Sequence, residues 1–262
     1  MLKVLLLGSA GSGKSTVLKQ LRLAHGVPFS PQEIEFYRQH IFLNLTQGLK
    51  RVVDAMKDMG LEVSPENLDL VPILNDAKDV QDNKPYPAEY RDVLKRLWED
   101  PNVQAAYARG NEAALPDYLQ YFYADLDRFF KPSYVPTEKD IVHSYVPTTG
   151  ISETHLTRLS RRGYDLLVVD VGGQNSEREK WIDCFENVAC VVFVVNLSGY
   201  DQRLSEDKST NQMMDTMTIW DSISQSHLFR WTPVVSSAPS LDRASSFQHQ
   251  EKPPIIFDAI YR

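Results

Sequence analysis

The sequence predicts an α/β fold in which a long all-helical segment interrupts a domain built on a parallel β-sheet. Three observations support this fold class. Short apolar runs at residues 2–7, 164–170 and 189–195 are typical of buried parallel strands. Between residues 30 and 131 helical patterns follow one another without a convincing strand. A glycine-rich turn follows the first strand directly and ends in a lysine and a serine, which marks the first candidate functional site.

The composition is that of an ordinary soluble globular protein. The 262 residues are 42% hydrophobic and 24% charged, and the formal net charge of -7 argues against general affinity for nucleic acid. Cys184 and Cys190 lie in an apolar region, so we expect reduced thiols rather than a disulfide or a zinc site. Since no apolar run reaches the ~20 residues that span a bilayer, we predict no transmembrane segment.

The N-terminal part of the chain contains one strand and one helix of the sheet domain. The strand at residues 2–7 ends at Gly8, and residues 14–24 have a helical pattern. We therefore assign residues 1–27 to this domain.

The helical block begins with a strong start signal, because Ser30 can cap a helix and Glu33 can complete a capping box. Apolar residues then recur at three- and four-residue steps over roughly seven turns, at Ile34, Tyr37, Ile41, Leu45, Leu49, Val52, Met56 and Met59. Further helical patterns occur at 89–99, 101–109 and 116–130. These patterns predict a separate helical domain at residues 29–131.

The chain then returns to the sheet domain. Residues 132–136 have the composition of an extended linker, because proline disfavours helix before it. The sheet domain is expected to resume at 138–235, with both later strands and a helix at 206–224. Residues 236–262 are rich in Ser, Pro and Gln without periodicity, and they are predicted to form a disordered tail.

The turn after the first strand has the pattern G-x-x-x-x-G-K-[ST] from Gly8 to Ser15. Glycines allow backbone N–H groups to surround phosphate oxygens, and the following helix presents its positive end. Lys14 adds a positive charge, and the Ser15 hydroxyl can coordinate Mg²⁺. This turn therefore predicts a site for a nucleoside triphosphate with Mg²⁺.

A second motif, Asp170-Val171-Gly172-Gly173-Gln174, ends a predicted buried strand. Asp170 can hold Mg²⁺ through water, Gly173 can offer its N–H to a γ-phosphate, and Gln174 can orient an attacking water. The stretch between Lys14 and Asp170 is of domain size, and the helical block fills it.

These motifs and their order resemble heterotrimeric G-protein α subunits over about residues 2–233. The segments that carry the resemblance are Ser12–Thr16 with Lys19–Gln20, Leu126–Arg128, Pro132–Pro136 with Thr137 and Asp140, Thr148–Ile151 with Glu153–His155, Asp170–Gln174 with Ser176–Arg178 and Lys180–Trp181, Cys184–Glu186, Leu197–Ser198, Tyr200–Asp201 and Glu206–Asp207. The resemblance implies a P-loop, Ras-like GTPase domain with an inserted all-α helical domain.

The resemblance also implies the cofactors GTP or GDP and Mg²⁺. Its metal ligands would be Ser15, Thr148 and, through water, Asp170, and Gln174 would be catalytic. Asp117 and Tyr118 fall where the helical domain would approach the nucleotide, although an ordinary surface loop is the alternative. The residues expected to contact the nucleotide are Gly8, Gly11, Ser12, Gly13, Lys14, Ser15, Thr16, Asp117, Tyr118, Val142, His143, Thr148, Asp170 and Gly173.

The partners implied by the family are a G-protein βγ dimer, a G-protein-coupled receptor and an effector such as adenylate cyclase, at the cytoplasmic face of the plasma membrane. Compared with the family pattern, the chain is expected to be truncated at both ends. It would then lack the N-terminal helix that carries lipid, the base-reading Asn-Lys-x-Asp motif and the last strand and helix. Weak selectivity for guanine is the corresponding expectation.

Two departures concern catalysis. Tyr145 stands at the usual position of the catalytic arginine, and Ala10 and Gly11 stand where the family has Gly and Glu. Slow GTP hydrolysis is therefore expected. The alternatives are an α-subunit-like protein that binds partners without cycling and a P-loop kinase, which the long insertion and Gln174 disfavour.

Overall fold

A computed structural model describes residues 1–157, 165–204, 206–207, 209–229 and 232–237. Its strands are β1 (Leu2–Leu7), β2 (Ile151–Leu156), β3 (Leu166–Val171), β4 (Val188–Val194) and β5 (Val234–Ser237). Its α-helices are α1 (Lys14–Ala24), α2 (Pro31–Asp58), α3 (Leu70–Asn75), α4 (Glu89–Glu99), α5 (Pro101–Ala108), α6 (Leu119–Tyr123), α7 (Leu126–Phe129), α8 (Glu138–His143) and α9 (Gln212–Ser224). Short 3₁₀ helices occur at Pro65–Asn67, Gly110–Glu112, Asn175–Cys184, Leu197–Tyr200 and His227–Phe229.

The chain divides into two compact units. One unit, here called the sheet unit, comprises Met1–Pro28 and the described residues from Pro147 onward. The other, the helical unit, comprises Phe29–Val146. Among the described helices of both units, none is long and apolar enough to cross a membrane.

The sheet unit contains a five-stranded sheet in the order β2-β3-β1-β4-β5, which establishes the α/β class. Strand β1 is central and parallel to β3 and β4, β5 is parallel to β4, and β2 is antiparallel to β3. Alternate side chains of β1 enter different cores, since Leu5 packs with α9 whereas Leu6 packs with α1. The carboxyl ends of the three central strands therefore meet at one edge of the sheet.

Three details of the sheet unit differ from the sequence prediction. Strand β2 was not predicted, because most of its side chains are exposed and polar and it borders the sheet. Helix α9 begins at Gln212 rather than near 206, because the Asn211 side chain caps it by accepting from the N–H groups of Met213 and Met214. Strand β5 continues to Ser237, and the rest of the predicted tail, 238–262, lies outside the described residues.

The helical unit is built around α2, whose predicted capping box between Ser30 and Glu33 is confirmed. The described residues of this unit form α-helices and 3₁₀ turns around one apolar core. Its last helix, α8, belongs here rather than to the sheet unit that was predicted to resume at 138. The physical reason is Asp140, which is fully buried and accepts hydrogen bonds from Arg128 and Tyr121.

Candidate functional site

The glycine-rich loop lies between β1 and α1, and its backbone needs glycine. Gly8, Gly11 and Gly13 have φ angles of +146°, +69° and +95°, a region that side chains disfavour. Gly8 also lies so close to the Val194 carbonyl that a Cβ atom would clash with it. The loop therefore curls tightly over the carboxyl end of β1, ahead of the first turn of α1, which includes Thr16.

Lys14 is the charged group of this loop, and its side chain is buried. Its Nζ donates to the Gly8 carbonyl at 3.0 Å and to the Ser9 carbonyl at 2.9 Å. Burial lowers the pKa of Lys14 to about 8, and the nearby Asp170 carboxylate opposes this change.

The Ser12 hydroxyl in the same loop is buried and has no hydrogen-bond partner among the described residues. A polar group in this situation is suited to bind an incoming phosphate oxygen.

Three oxygen-bearing side chains that could bind a metal ion lie close together beside the glycine-rich loop. Ser15 Oγ donates to Asp170 Oδ2 at 2.6 Å and lies 2.7 Å from Thr148 Oγ1. The other carboxylate oxygen of Asp170, Oδ1, is buried without a partner among the described residues. Burial raises the pKa of Asp170, and the Ser15 hydrogen bond and the Lys14 charge oppose this rise.

This donor set fits Mg²⁺, which prefers oxygen ligands and is commonly held by one or two carboxylates plus substrate phosphates. Within the described ranges no cluster of three or more His, Cys, Asp or Glu side chains offers an all-protein metal site. The set of Ser15, Thr148 and Asp170 contains a single carboxylate, so phosphate oxygens would have to complete the coordination.

The segment after β3 lies against the same loop. A Cβ atom at Gly173 would be 2.5 Å from Lys14 Nζ, and one at Gly172 would be 2.7 Å from the Thr148 carbonyl oxygen. Glycine at both positions therefore allows the backbone to approach the lysine and the threonine closely. Gln174 follows at the start of the 3₁₀ helix Asn175–Cys184. The candidate phosphate, metal and water-positioning residues of the sheet unit thus lie around one edge of the sheet.

The 3₁₀ helix Asn175–Cys184 has specific anchors. Trp181 is buried and its Nε1 donates to the Gly172 carbonyl at 2.8 Å. Arg178 forms two hydrogen bonds with Asp215 of α9, at 2.9 and 2.6 Å, and donates to the Gly173 carbonyl at 3.2 Å. The sequence pattern does not indicate Asp215, because an acidic residue in a helix is typical of a solvated face.

Five predicted site residues belong to the helical unit and are described by their contacts there. Tyr145 stacks on Tyr118, with ring centroids 5.9 Å apart. His143 stacks on Tyr121, with ring centroids 3.9 Å apart. The Asp117 carbonyl accepts a hydrogen bond from a tyrosine hydroxyl at 3.1 Å, and Val142 is half-buried in α8. Their contacts with a nucleotide remain predictions.

A glycine-rich loop between a parallel strand and a helix, with a buried lysine above a hydroxyl and a carboxylate, defines the class of P-loop proteins. Comparison with protein families narrows the class, because residues 1–235 match the model of the G-protein alpha subunit family. The chain belongs to this family.

Individual relatives agree with this assignment. The chain is 46% identical over 234 residues to the guanine nucleotide-binding protein alpha-2 subunit of Mycosarcoma maydis, covering 89% of this chain and 65% of that protein. It is 43% identical over 244 residues to the alpha-2 subunit of Neurospora crassa, covering 92% and 67%. The G(o) subunit alpha of Locusta migratoria is 38% identical over 236 residues, covering 89% and 66%. The chain thus spans about two thirds of the length of these relatives.

Proposed function

We propose that this chain is a guanine-nucleotide-binding molecular switch that binds GTP or GDP with Mg²⁺, transduces receptor signals and hydrolyses GTP slowly. The observation that carries the proposal is the convergence of Ser15, Thr148 and Asp170 beside the buried Lys14. Membership of the G-protein alpha subunit family supports the choice of nucleotide.

In this proposal each residue has a physical role. Lys14 neutralises phosphate charge, the loop glycines present backbone N–H groups, and Ser12 offers its unpartnered hydroxyl. Ser15 and Thr148 would bind Mg²⁺ directly and Asp170 through water, and the ion would neutralise charge that develops on the β- and γ-phosphates. Gln174 would orient the attacking water.

In this proposal the switch depends on Thr148 and Gly173. Thr148 lies in the loop before β2, and Gly173 in the loop after β3. Both loops would hold a γ-phosphate, through the Gly173 N–H and through Thr148 with Mg²⁺, and hydrolysis would remove this shared contact. The Gly172 N–H donates to the Gly150 carbonyl at 3.2 Å, so the two loops are already joined through their backbones.

For the helical unit, we propose that it is the inserted helical domain of the family. We also propose the family's partners for this chain: a βγ dimer, a G-protein-coupled receptor and an effector such as adenylate cyclase, at the cytoplasmic face of the plasma membrane. Tyr145 at the arginine position favours a second candidate, an α-subunit-like protein that binds partners but does not cycle.

A nucleotide titration tests the proposal. We expect the purified chain to bind GTP and GDP, and Lys14→Ala to weaken GTP binding by about 10- to 100-fold, because hydrogen bonds to charged groups contribute roughly 1.5–3 kcal/mol. The matched control is Lys50→Ala, since this lysine bonds Asn75 within the helical unit. An unchanged GTP affinity in Lys14→Ala would show that the glycine-rich loop does not bind GTP. Equal affinity for ATP and GTP would support the phosphate site but not the choice of guanine nucleotide.

A further inference from the structure

Helix α9 presents three polar side chains on one face, at positions separated by three and four residues. They are Gln212, Asp215 and Thr216, and both Gln212 and Thr216 are buried, at 7% and 2% exposure. Farther along the helix, Ile219 and Ile223 enter the apolar core of the sheet unit. The first turn and a half of α9 therefore buries polar groups, which are costly unless each finds a partner.

Gln212 finds its partners in two loops that follow strands. Its Nε2 donates to the Ala10 carbonyl at 2.9 Å, and its Oε1 accepts from Asn196 Nδ2 at 3.1 Å. Both ends of the amide are thus used, and one end contacts the glycine-rich loop itself.

Glycines make room for this amide on both sides. A Cβ atom at Gly11 would lie 3.3 Å from Gln212 Nε2, and one at Gly199 would lie 2.7 Å from Gln212 Oε1. Larger residues at these positions would crowd the amide, so the contact depends on the local sequence of both loops.

Thr216 contacts the glycine-rich loop at Ser9, the residue before Ala10. Its Oγ1 lies 2.8 Å from Ser9 Oγ and also donates to the Gln212 carbonyl at 2.8 Å. Because the single hydroxyl proton of Thr216 is used in that bond, Ser9 is the donor in the pair. The carbonyl of Ser9 accepts from Lys14 Nζ at 2.9 Å. Ser9 therefore links α9 to the lysine, because its hydroxyl bonds Thr216 and its backbone carbonyl bonds Lys14.

We propose that Gln212 and Thr216 are positioning residues, which hold the Ser9–Ala10 part of the loop in the conformation that binds phosphate. With Asp215, which pairs with Arg178, they make α9 the element that joins this loop to the 3₁₀ helix Asn175–Cys184. This inference rests on the proposed function, because its consequence is slow release of the bound nucleotide.

Nucleotide dissociation is the measurement that tests it. A fluorescent GDP analogue is bound to the full chain and chased with unlabelled GDP. We expect Gln212→Leu and Thr216→Val each to speed dissociation by about fivefold, the effect of losing one buried hydrogen bond. Thr218→Val is the matched control, because Thr218 lies on the exposed side of the same helix, and it should leave the rate within about twofold.

Ser9→Ala is a second test that does not require Thr216→Val to fold, and together the two variants form a double-mutant cycle. Ser9→Ala removes the hydroxyl that bonds Thr216, and it replaces serine with a smaller side chain. If the two residues act through each other, Ser9→Ala with Thr216→Val should dissociate no faster than either single variant. Normal dissociation rates in Gln212→Leu and Thr216→Val, with only a lower melting temperature, would show a purely structural role and overturn the inference. Failure of the wild-type chain to bind the analogue would overturn the proposed function as well.

Discussion

We proposed above that Tyr145 occupies the position of the family's catalytic arginine, and its surroundings suit an aromatic side chain. Its ring stacks on Tyr118, and its backbone exchanges two hydrogen bonds with the Asn44 side chain, both at 2.8 Å. A phenol can donate a hydrogen bond but carries no positive charge. Tyr145 therefore cannot supply the charge that an arginine would supply.

We predict that the chain hydrolyses GTP slowly and that an arginine at position 145 increases the rate. For α subunits with an arginine in cis the established turnover is ~10⁻² s⁻¹, and we expect the wild-type chain to be at least ~10-fold slower. Single-turnover GTP hydrolysis measures this rate. Tyr145→Arg should raise it, because the variant supplies the positive charge. Gly11 is left unchanged, since its φ of +69° and the nearby Gln212 amide disfavour a larger residue there.

The control is Tyr145→Phe, which keeps the ring and removes the hydroxyl, and it should leave the slow rate unchanged within about twofold. A wild-type rate near ~10⁻² s⁻¹ that Tyr145→Arg does not raise would show that another cation stabilises the transition state. Arg178 is the obvious alternative, but its guanidinium is engaged by Asp215 and the Gly173 carbonyl.

Among the elements, α8 illustrates how a single carboxylate can join a helix to its unit. Asp140 accepts two hydrogen bonds from Arg128, at 2.7 and 2.8 Å, one from Tyr121 at 2.7 Å and one from the Thr137 N–H at 2.9 Å. Burial alone would raise the pKa of Asp140, but these hydrogen bonds outweigh burial and lower the pKa well below its usual range. The charged form therefore stabilises the native helical unit.

We predict that Asp140→Asn lowers the free energy of unfolding by about 3 kcal/mol at pH 7, because it leaves Arg128 without its buried partner. A carboxyl with a lowered native pKa stabilises above its unfolded pKa of ~3.9 and loses this contribution as the pH falls toward the native pKa. The difference between wild type and Asp140→Asn should therefore narrow below about pH 4. Urea unfolding followed by circular dichroism, from pH 7 to pH 3, measures it.

Asp127→Asn is the matched control, since Asp127 pairs with Arg91 on the exposed surface of the same unit. Exposed pairs contribute roughly 0–1 kcal/mol, so this variant should differ little from wild type at any pH. A constant difference for Asp140→Asn across the pH range would show that shape, rather than charge, stabilises α8.

The sequence predicts elements well where burial and caps dominate. Strand β1 and helix α1 occur at their predicted residues, because a short apolar run, a helical pattern and glycine boundaries are local signals. Strand β2 was not predicted, because most of its side chains are exposed and polar and give no apolar pattern. The contact between Gln212 and Ala10 joins positions 202 residues apart, and no single-sequence pattern indicates it. Sequence motifs thus locate the glycine-rich loop, whereas the residues that support the loop can be identified only from the fold.

At the scale of the whole molecule, the chain contains two compact units with separate apolar cores. The sheet unit contains the glycine-rich loop and the converging oxygens, and the helical unit contains Tyr145. The family match extends over both, from residue 1 to residue 235. The central claim concerns the sheet unit, where Ser15, Thr148 and Asp170 are proposed to bind Mg²⁺ together with nucleotide phosphates.

The most direct test is the GTP affinity of the full chain measured by calorimetry with excess Mg²⁺ and again with a chelator. We expect Mg²⁺ to tighten GTP binding at least ~10-fold, or ~1.4 kcal/mol, and Ser15→Ala and Asp170→Asn each to abolish this dependence. Asp183→Asn, an exposed carboxylate in the 3₁₀ helix Asn175–Cys184, is the control and should keep it. Equal GTP affinity with and without Mg²⁺ in the wild-type chain, or full Mg²⁺ dependence in Asp170→Asn, would contradict the account.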